Sequence, residues 1–179
     1  MRKEEKQFIY DFSTTICNLT ENKVYSNIIF LCVGTDRITG DTFGPIVGHK
    51  LKKLFLGIKN INIIGDLENT VCDSNIDKIL QKINQEYSNP FIVAIDSALS
   101  CNEENVGKVI VTEGGIVLGK GLGKDKTYIG DMSIKGVVAK DFENIKQNLC
   151  ILQNINLGFV MNMAETVANG IFDSIEIQD

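Results

Sequence analysis

The sequence is short of the residues on which common hydrolytic and metal chemistries rest. It has a single histidine, His49, among 179 residues. Serine and cysteine nucleophiles usually draw on an imidazole base. His49 reads as lying on the helix face opposite Ile46, Val47, Leu51 and Leu54, where solvent is the expected neighbour. The five cysteines, Cys17, Cys32, Cys72, Cys101 and Cys150, are odd in number and include no CxxC spacing. That argues against a disulfide framework or a zinc knuckle and points to a reducing, cytoplasmic compartment. Cys32 and Cys101, near strand ends but without a histidine partner, read as structural filler. No dense run of lysine or arginine occurs, and 18 basic against 23 acidic residues leave a formal charge of −5. Direct nucleic-acid binding is therefore not expected. The longest apolar runs, 28–33 and 91–95, fall far short of the ~20 residues of a membrane helix. The charged start, Met1 to Lys6, leads into a helical pattern rather than a signal-peptide core. With no linker or repeat, the length predicts one domain over residues 1–179.

What is present is an alternation of helical and strand patterns. Phe8, Ile9, Phe12, Ile16 and Leu19 predict an amphipathic first helix. Ile28 to Val33 is a continuous apolar run ending at Gly34, the pattern of a strand buried on both faces. Gly44 and Pro45 then open a helix running to Phe55, with proline in the first turn, where its missing N–H costs nothing. Ile61–Ile64 predicts a second strand, Ile76 to Ile83 a second such helix, Phe91–Ile95 a third strand closed by Asp96, and Val106–Thr112 a fourth. The glycine-rich stretch 114–130 reads as a long functional loop, and Ile134–Val138 as an edge strand. A shorter helix over 142–152 and a long one from Leu157 to Ile175 complete the pattern. Such alternation implies an α/β fold, a mostly parallel sheet with helices on both faces. Its site is expected outside the carboxyl ends of the strands, where strand order reverses.

Acids recur at those ends. Gly34-Thr35-Asp36-Arg37 and Asp41 follow the first strand, Asp66 and Glu68 the second, Asp96 the third and Glu113 the fourth. Taken singly, each is an ordinary turn or helix-start residue, and Asp41 or Thr42 reads equally well as a helix cap. Taken together, Asp41 and Asp96 are the candidate catalytic pair, with small Ser97 and Ala98 leaving Asp96 uncovered. Two carboxyls in one crevice resist joint ionisation, so one stays charged as a base while the other holds a proton as an acid. Such a pair activates water and protonates a leaving amine. Oxygen-only binding of magnesium by Asp36, Asp41 and Asp96 is an alternative. Gly119-Lys120-Gly121-Leu122-Gly123-Lys124 fits neither the phosphate-loop nor the dinucleotide spacing. It reads instead as a loop flanking a substrate.

The string from Gly34 to Gly48, with Asp41 at its centre, resembles the first signature of germination proteases, which degrade small acid-soluble spore proteins. Ala94-Ile95-Asp96-Ser97-Ala98 resembles their second. The likeness continues through Thr112-Glu113-Gly114-Gly115 and Gly130-Asp131-Met132-Ser133-Ile134 to the last helix. The sequence also resembles the YyaC-type sporulation family, a short relative of germination protease, and more distantly the hydrogenase maturation endopeptidases. The resemblance implies a three-layer α/β/α sandwich and catalytic aspartates at Asp41 and Asp96. It implies supporting or substrate-binding roles for Asp36, Glu113, Gly114, Gly115 and Asp131. The maturation endopeptidases grasp nickel with two carboxylates and a histidine, but the corresponding region here carries Lys135 and no histidine. Nickel is not expected, and Lys135 is free to neutralise an acid or contact substrate. Val117 stands where germination protease has a histidine.

The leading expectation is a peptidase of spore-forming bacteria, acting in the sporulating cell or spore interior on a peptide or protein substrate such as small acid-soluble spore proteins. No cofactor, resident metal or membrane partner is expected, and a homo-oligomer is allowed. The rivals are a non-proteolytic sporulation binding or scaffold protein and a metal-dependent hydrolase.

Overall fold

In the computed structural model, residues 3–21, 23–118 and 127–176 are described. Helix α1 (Lys3–Thr20) precedes strand β1 (Ile28–Cys32), a 3-10 helix (Thr39–Thr42) and α2 (Phe43–Leu54). Strand β2 (Ile61–Ile64), α3 (Ile76–Glu86), β3 (Phe91–Ser100) and β4 (Val109–Glu113) follow. Then come a β5 (Ile116–Leu118) and β6 (Thr127–Ile129) hairpin, β7 (Met132–Lys140), α4 (Ile145–Asn154) and α5 (Leu157–Glu176).

The main sheet has five strands in the order β2-β1-β3-β7-β4. β2, β1, β3 and β7 are parallel, and β4 runs antiparallel to β7 at the edge. Side-chain alternation divides two cores between the faces of this sheet. Phe30, Cys32, Val93, Ile95, Met132 and Ile134 pack against Phe8 and Phe12 of α1, Val47 and Leu51 of α2, and Val160 and Ala164 of α5. Ile29, Leu31, Val33 and Ala94 face Ile76 and Ile83 of α3 and Ile116 and Ile129 of the hairpin. The fold is thus the expected mostly parallel α/β arrangement with both faces covered.

Three expectations are corrected. Residues 132–140 form an inner strand rather than an edge: β7 pairs with β3 on one side and β4 on the other. The stretch 114–130 is not all loop, since β5 and β6 pair there and bury Ile116 and Ile129; the Gly119 to Lys124 segment lies outside the described residues. Asp96 does not end its strand. β3 loses β1 after Cys32↔Ile95 but stays paired with β7 as far as Ser100↔Lys140. Asp96 is therefore the first residue of β3 beyond the end of β1, and that missing neighbour opens a crevice. The shorter late helix begins at Ile145, because Asn144 accepts hydrogen bonds from the N–H groups of Lys146 and Gln147.

Candidate functional site

The connection from β1 leads to β2 on one side, while β3 lies on the other, so strand order reverses between β1 and β3. Ligands of open α/β sheets bind in that crevice. The turn over it is fixed by close backbone packing. A Cβ on Gly34, whose φ is +140°, would meet the Asp41 carbonyl oxygen at 2.1 Å, and one on Gly44 would meet the Val33 carbonyl oxygen at 2.0 Å. The 3-10 helix and the start of α2 can therefore seat directly on the end of β1. Asp41 is carried over the crevice as a result.

Neither Asp41 nor Thr42 caps α2. Thr42 Oγ1 donates to the Thr39 carbonyl at 2.6 Å. Asp41 Oδ2 accepts the Thr35 N–H at 3.0 Å, and its Oδ1 accepts the Ser97 hydroxyl at 3.2 Å. Ser97 thus ties the first loop to β3, and its own N–H donates to Asp96 Oδ1 at 2.8 Å. Asp96 and Lys135 are in-register neighbours on β3 and β7, so their side chains leave the same face of the sheet. Both aspartates are only partly buried.

Burial raises the Asp41 pKa above its ordinary value, opposed by the hydrogen bonds from Ser97 and Thr35 and reinforced by the charge of Asp73. Asp96 is pushed further, to about 8. Burial is the largest cause, followed by the Asp41 charge; the Ser97 N–H and the Lys135 ammonium oppose it, and Asp73 adds to it. Both carboxyls are thus biased toward holding a proton, Asp96 the more strongly.

The remaining acids separate. Asp66, 4% exposed, forms an ion pair with Lys52 and accepts the N–H groups of Glu68 and Asn69. Those partners overcome its burial and hold its pKa below the ordinary value, so Asp66 is a structural anchor between α2 and the end of β2. Because β4 is antiparallel, Glu113 pairs with Met132 at the amino end of the parallel strands, opposite Asp96. Gly114 and Gly115 follow it there. Asp131 lies at that end too, where its Oδ2 accepts the Ile92 N–H at 2.9 Å and its carbonyl accepts the Gly114 N–H. The structure brings Asp41, Asp96 and Lys135 together and sets Glu113, Gly114, Gly115 and Asp131 apart from them. The cue was the stretch of eight residues between Ser100 and Val109, too short for a parallel crossover.

Sequence reasoning passed over two residues. One is Ser97, taken only as a small neighbour. The other is Asp73, an exposed carboxylate on the segment after the bridge between Val71 and Val33. Asp36 is exposed and lines a groove with Thr39 and Thr42. His49 shares that groove wall with Ile46 and Leu54, which corrects its placement on the opposite face. Cys32 is fully buried, and burial raises its thiol pKa, so it is inert; Cys101 is exposed. Among the described residues no three His, Cys, Asp or Glu side chains group closely enough to hold a metal ion. The set of Asp36, Asp41 and Asp96 does not form such a group. No helix among the described residues is long and apolar enough to cross a membrane.

The chain matches, over residues 1–170, the family described as protein of unknown function (DUF1256). It is 36% identical over 146 residues to the uncharacterized protein YyaC of Bacillus subtilis strain 168, an overlap covering 80% of this chain and 67% of that protein. Its fold is similar to that of the NiFe hydrogenase maturation protease HycI from Thermococcus kodakarensis KOD1. The TM-score is 0.58 over 90% of this chain and 99% of that one, at 16% identity. A likeness at that identity is one of fold.

Proposed function

The chain belongs to the DUF1256 family, and we propose that it is a peptidase of spore-forming bacteria in which Asp41 and Asp96 hydrolyse a peptide bond by acid/base catalysis. The observation that carries this reading is the unequal upward shift of two neighbouring carboxyls. Burial and the Asp41 charge raise Asp96 to about 8, while Asp41, also raised by burial, is held back by the hydrogen bonds that Ser97 and Thr35 donate to it. Support also comes from the resemblance of both motifs to germination protease and from the fold shared with a maturation protease.

Asp41 takes a proton from water, whose oxygen forms a bond to the scissile carbonyl carbon. As the C–N bond breaks, Asp96 gives its proton to the departing amine. Transfer of the proton from Asp41 back to Asp96 restores the starting state, so no proton is gained or lost by the enzyme. Lys135 offsets the negative charge on Asp96 after it has donated. The substrate class drawn from the resemblance is small acid-soluble spore proteins.

The test is kcat/KM against pH on such a protein or its peptides. Activity should rise with pH as Asp41 ionises, at a pH above its ordinary value, and fall as Asp96 loses its proton near pH 8. Asp41→Asn and Asp96→Asn should each lower kcat about 100- to 10,000-fold with the fold intact by circular dichroism. Wild-type cleavage retained by either variant would refute the mechanism. Capture of the peptides without any cleavage would identify a binding module instead.

A further inference from the structure

Helix α4 is held differently from the other helices. α1, α2, α3 and α5 each seat buried apolar side chains in one of the two cores, whereas no residue of α4 is buried. Asn148, Ile151 and Leu152 are partly covered, and Ile145 and Leu149 are 84% and 44% exposed. The main neighbours of α4 are the 3-10 helix that carries Asp41 and strand β7. Its seat on the 3-10 helix is small. Leu152, together with Ile155 just past the helix end, closes over Gly40, where an added Cβ would stand 2.5 Å from Leu152 Cδ2 and 2.9 Å from Ile155 Cδ1. A hydrogen bond from Thr39 Oγ1 to the Gln153 carbonyl, 3.5 Å long, joins the same two elements.

The ends of α4 provide pivots. At its amino end, Asp141 donates its N–H to the Ser100 carbonyl of β3, and Asp141 Oδ1 accepts the Asn148 side-chain amide at 2.7 Å, so this end stays tethered to the sheet. At the other end the helical path breaks at Ile155, whose ψ is +145°, and Asn156 starts α5 afresh by accepting the Phe159 N–H at 3.2 Å. α5 buries Val160, Ala164 and Val167 and does not follow α4. Motion about these two points gives up chiefly the seat of Leu152 on Gly40.

Gly40 directly precedes Asp41. The Asp41 carboxylate takes one hydrogen bond from its own loop, at Thr35, and one from the sheet, at Ser97. Its position over β3 therefore depends on how firmly the 3-10 helix is pressed down. We infer that α4 is a latch that docks and lifts as a unit, and that Leu152 is a positioning residue whose seat on Gly40 holds Asp41 against Ser97. An element with so little buried apolar surface opens far more often than the cores beside it. Docked, it completes the pair of aspartates; lifted, it removes the outer support of the 3-10 helix. The latch itself is independent of the reaction, while its control of catalysis rests on the peptidase reading.

The test is amide hydrogen exchange of the full chain, followed by mass spectrometry. Residues 145–154 should exchange together, at least about 100-fold faster than residues 160–171 of α5. Leu152→Ala should speed exchange about tenfold both in 145–154 and in 36–42, leaving α3, across the sheet, unchanged; Leu152→Met, which keeps the volume, should restore the wild-type pattern. Exchange of α4 as slow as that of α5 in the wild-type protein would overturn the inference. So would a Leu152→Ala variant that loosens α4 without residues 36–42, or one that loosens α3 equally. Where peptides are cleaved, Leu152→Ala should lower kcat about tenfold with little change in KM, because Asp41 is displaced while the substrate still binds. The two readings fail separately. Coupled exchange without any cleavage removes the peptidase and leaves the latch. Cleavage by a protein whose α4 is as protected as α5 removes the latch and leaves the peptidase.

Discussion

Lys135 and Ser97 are two side chains that tune the protonation of the Asp41–Asp96 pair, and each acts on a different member. The Lys135 ammonium lowers the Asp96 pKa, against the larger effect of burial. Lys135→Met should therefore move the alkaline limb of the rate profile to higher pH, because an acid deprived of its cation holds its proton more strongly. Ser97 donates to Asp41 and lowers its pKa. Ser97→Ala should move the acid limb upward and narrow the active range from below. A full kcat/KM profile of each variant checks both, and a shift of the wrong limb would sever the assignment of base to Asp41 and acid to Asp96. A merely structural role for either residue would lower the whole profile without moving its limbs.

Helix α2 is the element that positions the site, and it is held at both ends. At its start Gly44 lies against the Val33 carbonyl, with the Ile95 carbonyl also 3.0 Å from where a Cβ would stand. Those neighbours are backbone atoms of the central sheet and cannot swing aside. Gly44→Ala should cost about 3 kcal/mol, or about 10 °C in Tm, and should impair activity by lifting the Asp41 turn. Near its end, Lys52 pairs with buried Asp66. Lys52→Met leaves that carboxylate without its cation, though two backbone N–H donors remain, so a loss of about 1–3 kcal/mol is expected by chemical denaturation. Restoring stability with Lys52→Met plus Asp66→Asn would confirm that the unpaired charge is the cause.

At the scale of the whole molecule, the shifted carboxyls oppose one another in their effect on stability. Between the ordinary 3.8 and about 8, native Asp96 keeps a proton that the unfolded chain releases. The native state then binds more protons, so stability falls as pH rises through that window. Asp41, also raised, acts in the same direction. Asp66 has the opposite sign: its lowered pKa contributes stability above the usual carboxylate range, and that contribution is lost on acidification. Stability should accordingly peak in mildly acidic solution and decline toward pH 9. Asp96→Asn should flatten the alkaline decline, gaining about 1–3 kcal/mol at pH 9 after allowance for solvent at a partly open site. Thermal unfolding of both proteins from pH 3 to pH 9 checks this; a wild-type maximum at pH 9 would contradict the raised acids.

Much of this architecture follows from local pattern. The unbroken apolar run of β1 specifies a strand buried on both faces. The glycine, proline and apolar spacing from Gly44 specifies the helix after it, and the periodicity from Leu157 specifies α5. The carboxylates after β1 and in β3 were visible for the same reason, since each follows an apolar run and parallel runs finish at one end of the sheet. Tertiary structure alone decided strand direction and neighbours. An apolar strand reads the same whether it runs with or against the next, yet reversal of β4 carried Glu113 to the far end, and insertion of β7 beside β3 put Lys135 next to Asp96. The protonation of the two aspartates is also tertiary, because it depends on burial and on charges brought near from Asp73 and Lys135, segments remote in sequence. Side-chain period is a property of the chain; which strand lies alongside, and how much water reaches a carboxyl, are properties of the packed molecule.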